Sequence, residues 1–379
     1  MKTLYVGRSI IPSQSANSIH VMKICDAFAE LCEDFELIVP ENDEFEIEGD
    51  LFDYYGVRSR FPINRIKQKK GIGGWYRYYF ALSAFSLIRK KKCNKIITRD
   101  PIVAFLAVLF HKKVVLDLHG ELAHLCGRAY RIIKLDFFRK SKYLNIVMIT
   151  ESLTKYYEKK YGLDPKSVTV LPDGYTPENF MSYSDLPLLP EQKMRIAYAG
   201  SFGVGRGYEI IQELAKQDKD NKYTIYGGVT EDALKVTGQN PPVNISFKGF
   251  IANRDIPEAL CNQDILLLPY QNTLIAKGED TGKVMSPLKL FEYMAAGRVI
   301  IASDLQVLKE ILNGSNCYFA APDDVSSWKE IIDHISANRA EAVNKAEKAK
   351  QDVKQYTWRT RAERMLELME EKNVRGNFQ

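Results

Sequence analysis

The stretch SPLKLFEYMAAG, from Ser286 to Gly297, places a lysine within the predicted first turn of a helix. Ser286 is a suitable N-cap, Pro287 suits the first helical position, and Gly297 suits the end of the helix. The free N–H groups of a first turn favour an anion, so Lys289 carries the wrong charge for this position. Two interpretations follow: a solvated lysine paired with Glu292 at i, i+3, or a phosphate bound by both Lys289 and the helix end.

A second segment suited to phosphate is the glycine-rich stretch AYAGSFGVGRG, residues 197–207. It reads as strand, turn and helix, but it is not a complete G-x-G-x-x-G and lacks the K-[ST] of a P-loop. Its glycines serve either a tight turn or a close approach to a ligand, and the stretch alone does not separate these alternatives.

Short apolar strands alternate with helices along most of the chain, which predicts an α/β fold of two Rossmann-like domains facing a cleft. Ligands of such sheets bind at the carboxyl ends of the strands. The predicted strands lie at 3–7, 35–40, 95–99, 113–120, 145–150, 167–174, 194–200, 222–228, 244–250, 264–270 and 298–303.

Two prolines and weak periodicity at residues 181–192 predict a linker. We therefore predict an N-terminal, acceptor-binding domain over 1–182 and a C-terminal, donor-binding domain over 183–358. The final stretch is predicted to form an amphipathic helix, about 359–379, that packs back on the first domain.

The composition is that of a globular protein of 379 residues with 45% hydrophobic residues, long enough for two or three domains. The six cysteines form no C-x-x-C pair, which favours a reducing, cytoplasmic compartment. The N-terminal apolar run is too short for a signal peptide. The longest apolar run, 102–110, is about half of a membrane span, so it predicts a buried helix.

The net charge of +5 conceals a strong pattern in the first half of the chain. Residues 30–53 hold eleven acids and no base, whereas residues 58–99 hold thirteen bases and no acid, with interleaved aromatic residues. This basic, aromatic stretch predicts contact with an anionic membrane surface; a solvated basic helix face is the alternative. No nucleic-acid module is visible, so we do not expect a nucleic-acid partner.

Taken together, these stretches resemble the retaining glycosyltransferases of family 4, which have the GT-B fold. The second-half match is AYAGSFGVGRGYEII, then FKGFIANRDIPEALCNQDILLLPY, then SPLKLFEYMAAGRVIIASDLQVLKEIL. A looser match in the first half consists of LDLHGE, ITESLTKYYEKKYG and TVLPDGYTPENF, in the same order. The resemblance covers nearly the whole chain.

The resemblance implies roles for nine residues. It implies that the catalytic residues of this chain are His119, Arg206 and Lys289. It implies that the donor-binding residues are Gly203, Phe250, Ile251, Ser286, Leu288 and Glu292. The helix N-terminus would hold the donor diphosphate, and Glu292 would bind the ribose hydroxyls. Arg206 would neutralise the leaving diphosphate, and His119 would face the donor sugar. The loop 12–18 would lie on the acceptor side, although its serines also suit a helix cap.

Two positions depart from the family pattern. Many relatives have E-x7-E, and Val284 stands where the first glutamate would be; Glu279 and Asp280 are upstream candidates to replace it. Ser201 stands where many relatives have an arginine, a charge that Lys283 and Lys289 are available to supply. These departures leave the identity of the sugar open.

The implied activity is retaining transfer of a sugar from a nucleoside-diphosphate sugar, UDP-linked, without a metal or any other cofactor. The implied acceptor is a glycan or polyprenyl-diphosphate-linked molecule in bacterial surface polysaccharide synthesis, made at the inner face of the cell membrane. The alternative is a catalytically weak or inactive, membrane-associated scaffold with the same fold.

Overall fold

The computed structural model describes residues 2–42, 45–67, 73–133, 140–183, 188–189, 193–276 and 279–375. The chain divides into two compact units: unit 1 comprises residues 1–173 and 358–379, and unit 2 comprises residues 174–357. Most of the predicted linker lies outside the described residues, and the domain bounds given above stay a prediction.

Unit 1 is built on a parallel sheet of seven strands. They are β1 (Thr3–Val6), β2 (Phe35–Pro40), β3 (Ile63–Ile66), β4 (Lys95–Thr98), β5 (Lys113–Leu118), β6 (Leu144–Met148) and β7 (Val168–Val170). Their order is β3-β2-β1-β4-β5-β6-β7, and neighbouring strands pair in parallel. Every residue of β1 and β2 is buried, as expected of strands covered on both faces.

Helices connect these strands. In chain order they are α1 (Ala16–Leu31), α2 (Leu51–Tyr54), α3 (Tyr76–Lys90), α4 (Pro101–Leu109), α5 (Leu122–Cys126), α6 (Tyr130–Ile133) and α7 (Glu151–Tyr161). The apolar run 102–110 forms most of α4, and Asp100 caps this helix by accepting from the N–H groups of Ile102 and Val103. Across the described residues, no helix is both long enough and apolar enough to cross a membrane.

Unit 2 has a second parallel sheet, of six strands in the order β10-β9-β8-β11-β14-β15. The strands are β8 (Arg195–Ala199), β9 (Lys222–Tyr226), β10 (Ile245–Phe247), β11 (Ile265–Leu268), β14 (Val299–Ser303) and β15 (Tyr318–Ala320). A two-stranded antiparallel ribbon, β12 (Ile275–Ala276) with β13 (Glu279–Asp280), follows β11.

The helices of unit 2 cover both faces of its sheet. They are α8 (Tyr208–Gln217), α9 (Thr230–Thr237), α10 (Ile256–Cys261), α11 (Leu288–Ala295), α12 (Val325–Ala337) and α13 (Arg339–Asp352). Alternate strand residues face opposite cores: Leu266 and Ile300 pack with α11, whereas Ile265 and Val299 pack with α8 and α12.

The last helix, α14 (Trp358–Arg375), belongs to unit 1. Arg361 anchors it, because its guanidinium donates to the Asp117 carboxylate at 2.7 Å and to the backbone carbonyl of Pro172 at 3.1 Å.

The two parallel sheets with their helices confirm the predicted α/β class with two Rossmann-like domains. The short edge strands β3 and β15 were not predicted, because residues such as those of INRI lack the apolar run of a central strand.

Candidate functional site

The strand order of unit 2 reverses between the neighbouring strands β8 and β11. In open parallel sheets, ligands bind at the carboxyl ends of the strands at such a reversal. The loop 200–207 follows β8, the segment 269–274 follows β11, and the two are joined by a hydrogen bond from the Gln271 N–H to the Gly205 carbonyl, 2.9 Å. The N-terminus of α11 also reaches this loop, since Lys289 Nζ lies next to Gly200.

Two glycines of the loop 200–207 are required by the protein's own packing. Gly205 and Gly207 have φ of +81° and +80°. A Cβ at Gly207 would lie 1.8 Å from the carbonyl oxygen of Pro269, and one at Gly205 would lie 2.0 Å from that of Thr273. The tight-turn interpretation therefore holds for these two positions.

Gly203, the loop glycine predicted to bind the donor, is different. A Cβ there would meet only Arg206 Cγ, at an ordinary contact distance of 3.7 Å. Packing within the protein therefore leaves space at Gly203, so a ligand can approach its backbone.

Lys289 lies at the centre of this arrangement. The residue as a whole is half-buried, but its Nζ atom is buried and has no hydrogen-bond partner among the described residues. The ammonium lies 4.0 Å from the centre of the Tyr198 ring and 5.2 Å from that of Tyr270. Lys289 is thus not the solvated lysine of the first interpretation.

The surroundings of Lys289 do little to stabilise the charged form of its side chain. Burial lowers its pKa well below the ordinary lysine value, and repulsion by Arg206 lowers it further, whereas Glu292 opposes both. A buried cation is normally paired, so this position favours an anion in addition to what the described residues supply.

The beginning of α11 differs from the prediction by one residue. The helix starts at Leu288, and Pro287 takes the N-cap position with an extended ψ of 120°. The prediction that Ser286 is the N-cap is wrong, because Pro287 occupies that position and its side chain makes no cap hydrogen bond. Proline at the N-cap has no N–H to satisfy, and the Leu290 N–H donates to the Pro287 carbonyl at 3.0 Å. Among the described residues, the N–H groups of Leu288 and Lys289 are left for another acceptor. Gly297 ends the helix as predicted, with φ of +62°.

The other donor-site candidates of unit 2 lie around the same sheet edge. Arg206, half-buried, stands beside Tyr270: burial raises the pKa of the Tyr270 hydroxyl, and Arg206 opposes this by charge and by hydrogen bonding. Glu292 is half-buried one turn beyond Lys289. Phe250 and Ile251 follow β10, and the Phe250 side chain is 41% exposed.

The residues at the departures from the family pattern have clear positions. The Asp280 carboxylate accepts from the N–H groups of Leu274 and Gly282, both at 3.0 Å, and these bonds lower its pKa. Asp280 thus shapes the turn of the β12–β13 ribbon. The side chain of Glu279 lies outside the described residues. Lys283 and Ser201 are exposed.

His119 lies in unit 1, at the end of β5, within a network of buried polar side chains. Its Nε2 is 3.0 Å from Asp117 Oδ2, and its ring packs edge-on against His20 at 4.5 Å. His20 in turn is 3.1 Å from Asp173. Burial lowers the pKa of His119 to about 3, with a further contribution from Arg99, so this imidazole is neutral at physiological pH.

Three of these side chains have the types and the proximity of metal ligands. One ligand atom from each of His20, Asp117 and His119 lies within 4.8 Å of the others. However, Arg361 donates to the Asp117 carboxylate, and an Arg99 nitrogen lies 3.4 Å from His20 Nδ1. Two guanidinium groups beside the cluster disfavour a cation there. The expectation of a metal-free reaction stays a prediction.

In the loop 12–18, the serine side chains serve the backbone. Ser15 caps α1 by accepting from the Ser18 N–H at 3.2 Å. Asn17 bridges Ser9 and Arg99. The helix-cap interpretation of this loop therefore holds, and its acceptor-side role stays a prediction.

Sequence reasoning missed Tyr198 and Tyr270, whose rings contact the Lys289 ammonium. A signal was present: Tyr198 lies near the end of β8, Tyr270 closely follows β11, and these two strands flank the reversal of strand order. It also missed the network around His119, because His20, Asp173 and Arg361 come from distant parts of the chain.

The comparisons agree with this fold. Residues 206–367, under half of the chain, match the family model described as Glycosyl transferase-like. Among solved structures, a glycosyltransferase from Rickettsia africae superposes with a TM-score of 0.74 at 14% identity, covering 98% of both chains. Anabaena HepE in complex with UDP and glucose gives 0.73 at 13% identity, over 98% of this chain and 100% of that one. WaaG, a glycosyltransferase involved in lipopolysaccharide biosynthesis, gives 0.64 at 13% identity, over 97% and 99%. The chain thus has the GT-B fold.

Two curated relatives match at the level of sequence. An uncharacterized 41.2 kDa protein in the cps region of Klebsiella pneumoniae is 25% identical over 38% of this chain. The alpha-galactosylglucosyldiacylglycerol synthase of Streptococcus pneumoniae is 28% identical over 35%. The chain spans about a third of the length of these relatives, 37% and 32% respectively.

Proposed function

We propose that this protein is a glycosyltransferase that transfers a sugar from a UDP-linked donor to a glycan or lipid-linked acceptor. The observation that carries this proposal is the buried Lys289 Nζ, which has no hydrogen-bond partner among the described residues and lies at a helix N-terminus, where β8 and β11 end. A diphosphate at this point would supply the missing acceptor oxygens and use the free N–H groups of α11. The likeness of residues 206–367 to the Glycosyl transferase-like family supports the same assignment.

In this proposal, fixed positive charge drives the reaction. Lys289, Arg206 and the first turn of α11 stabilise the charge that develops on the departing diphosphate. Glu292 accepts hydrogen bonds from the ribose, and the backbone at Gly203 approaches the phosphates. The loop at Phe250 and Ile251 contacts the base. These cationic groups supply the charge that a metal would otherwise provide, so the proposal includes no metal and no other cofactor.

The finer features of the proposal follow the family 4 resemblance. The reaction retains the configuration at the transferred carbon, and the leaving phosphate takes the acceptor's proton on the same face of the sugar. A neutral His119 faces the donor sugar and does not itself carry a proton through the reaction. The solved structure of HepE with UDP supports UDP as the nucleotide.

We place the acceptor in bacterial surface polysaccharide synthesis, as a glycan or a polyprenyl-diphosphate-linked molecule. The likeness to WaaG, described as acting in lipopolysaccharide biosynthesis, supports this placement. An acceptor of this kind would be met at the inner face of the membrane, which fits a peripheral protein.

A surface of unit 1 suits that membrane, and we define it as the α3 stripe: Trp75, Tyr78, Leu82, Arg89 and Phe110. Trp75, the residue directly before α3, and Leu82 are 71% and 60% exposed, and their seven-residue spacing puts both on the same side of the helix. Arg89 lies over the Phe110 ring, which is exposed as well. Exposed aromatic and apolar side chains beside a basic group favour an anionic lipid interface.

A donor screen tests the proposed activity. Purified protein is incubated with UDP-, GDP- and ADP-sugars, nucleotide release is measured, and the anomeric configuration of the product is read by NMR. We expect turnover of a UDP-sugar, with Lys289→Ala and Glu292→Ala each losing at least about a hundredfold because they remove charge and ribose contacts. Lys235→Ala, an exposed lysine of α9, is the control and should keep full activity.

Circular dichroism of each variant separates lost chemistry from lost folding. Full activity in both Lys289→Ala and Glu292→Ala would show that this helix is not the donor site. The scaffold alternative is not favoured by the site, but absence of turnover together with absence of nucleotide binding would revive it.

A further inference from the structure

Two tyrosine rings hold the Lys289 ammonium in unit 2. Tyr198 comes from β8 and Tyr270 follows β11, so the amine lies between residues of the two strands that flank the reversal of strand order. We propose that Tyr198 and Tyr270 are positioning residues that keep the Lys289 amine at the diphosphate site, and that nucleotide binding takes up a proton at this amine. The inference rests on the proposed function, since it takes a nucleoside diphosphate as the ligand.

The geometry leaves the amine few other positions. The ammonium is 4.0 Å from the centre of the Tyr198 ring and 5.2 Å from that of Tyr270, both within cation–π range. A Cβ at Gly200 would lie 2.3 Å from Nζ, so the loop backbone closes one side. The Tyr198 hydroxyl donates to the Ser201 carbonyl at 3.1 Å, which fixes the ring relative to the same loop.

The groups that face the amine have opposite effects on its pKa. Arg206 from the glycine loop and burial favour the neutral amine, whereas Glu292 on α11 favours the ammonium, as do the electron-rich faces of the two rings. Tyr293, also on α11, accepts a hydrogen bond from the Ala199 N–H and adds no cation. A diphosphate would add two or more negative charges at this point and so shift the balance to the ammonium.

The rings therefore have a function that packing alone does not explain. Without an anion, they keep a poorly solvated amine inside the site instead of letting it turn toward water. With the anion bound, an amine that was neutral takes a proton from solvent, and the resulting ammonium donates to phosphate oxygen. Affinity for the nucleotide must then fall with rising pH above the pKa of the free-state amine, by up to about tenfold per pH unit.

The test is calorimetry of UDP binding to the full chain between about pH 7 and pH 9.5, where the terminal phosphate has already ionised. Titration in two buffers of different ionisation enthalpy gives the protons taken up per UDP. We expect uptake by the wild type, and little or none by Lys289→Arg, because arginine keeps its proton over this range. The dissociation constant of the wild type should rise with pH, and that of Lys289→Arg should stay flat.

Substitutions at Tyr198 test the role of the ring. Tyr198→Leu should weaken UDP binding about tenfold and move the onset of proton uptake to lower pH, because the ammonium loses its aromatic neighbour. Tyr198→Phe keeps the ring and should stay within about threefold of the wild type.

The outcomes separate the two proposals. If the wild type binds UDP but takes up as many protons as Lys289→Arg, or if Tyr198→Leu behaves like Tyr198→Phe, the inference is overturned while the proposed function stands. If the wild type binds no UDP, the proposed function is overturned, and the inference falls with it.

Discussion

At the scale of single residues, the two units treat their buried titratable groups in opposite ways. In unit 1, burial keeps His119 neutral within a network of polar side chains, and Arg361 compensates the charge of Asp117. Burial opposes ionisation of Asp117, but Arg361 and His119 outweigh it and hold its pKa well below the ordinary value. In unit 2, the Lys289 Nζ has no hydrogen-bond partner among the described residues, and Glu292 offsets only part of the effects of burial and of Arg206. An anionic ligand would complete the arrangement around Lys289.

The low pKa of His119 predicts how the stability of the protein depends on pH. In the unfolded chain this histidine has a pKa of about 6.5, whereas in the folded protein its pKa is about 3. The unfolded state therefore binds more protons between these values, and the free energy of unfolding falls as the pH is lowered from about 6.5 toward 3, by about 1.4 kcal/mol per pH unit for this group.

Urea unfolding at about pH 7, 6 and 5 measures this slope. His119→Gln keeps a donor for Asp117 but does not titrate, so its slope should be smaller by up to about 1.4 kcal/mol per pH unit, with the largest difference at the lowest pH. Equal slopes for the variant and the wild type would show that His119 is already protonated or solvated in the folded state.

At the scale of elements, the strands and the site-bearing helix were predictable because their patterns are local. Buried strands such as FELIVP can be predicted from their apolar runs, and α11 can be predicted from its helix-forming residues and from Gly297. The sequence pattern of the loop 200–207 did not show which of its glycines the turn itself requires. Only the structure separates Gly207, which the Pro269 carbonyl requires, from Gly203, which has space around it.

Gly207→Ala and Gly203→Ala form a matched pair for this loop. Gly207→Ala forces a Cβ against a carbonyl at positive φ and should lower the free energy of unfolding by about 2 kcal/mol or more. Gly203→Ala should change it by less than about 1 kcal/mol, yet weaken UDP binding about tenfold if phosphate approaches this backbone. Urea unfolding and calorimetry give the two quantities, and a Gly203→Ala protein with unchanged UDP affinity would remove Gly203 from the site.

At the scale of the whole molecule, the α/β class followed from strand–helix alternation, but the neighbours of each site residue did not. Lys289 and Tyr198 are 91 positions apart, and no periodicity links them; parallel strand pairing brings them together. The same holds for Asp117 and Arg361. Charge is distributed unevenly as well, since the stretch 58–99 is basic throughout and carries most of the α3 stripe.

Co-sedimentation with liposomes tests the α3 stripe. Anionic vesicles should bind the wild type at low salt and release it at high salt, because surface electrostatics are screened. Leu82→Ser and Arg89→Gln should each weaken binding, the latter by about fivefold. Leu234→Ser, at an exposed leucine of α9 in unit 2, is the matched control and should bind as the wild type does. Equal binding by all four proteins would exclude the α3 stripe as the membrane surface.

The central claim is that Lys289 completes a diphosphate site in unit 2, and calorimetric titration of UDP into wild type and Lys289→Met tests it most directly. Methionine keeps the length and the apolar stem but removes the charge, so folding should survive. The account predicts saturable binding of UDP by the wild type and a loss of at least about a hundredfold in affinity for Lys289→Met, as expected of a buried charge-assisted contact. Equal UDP affinity in the two proteins would contradict it.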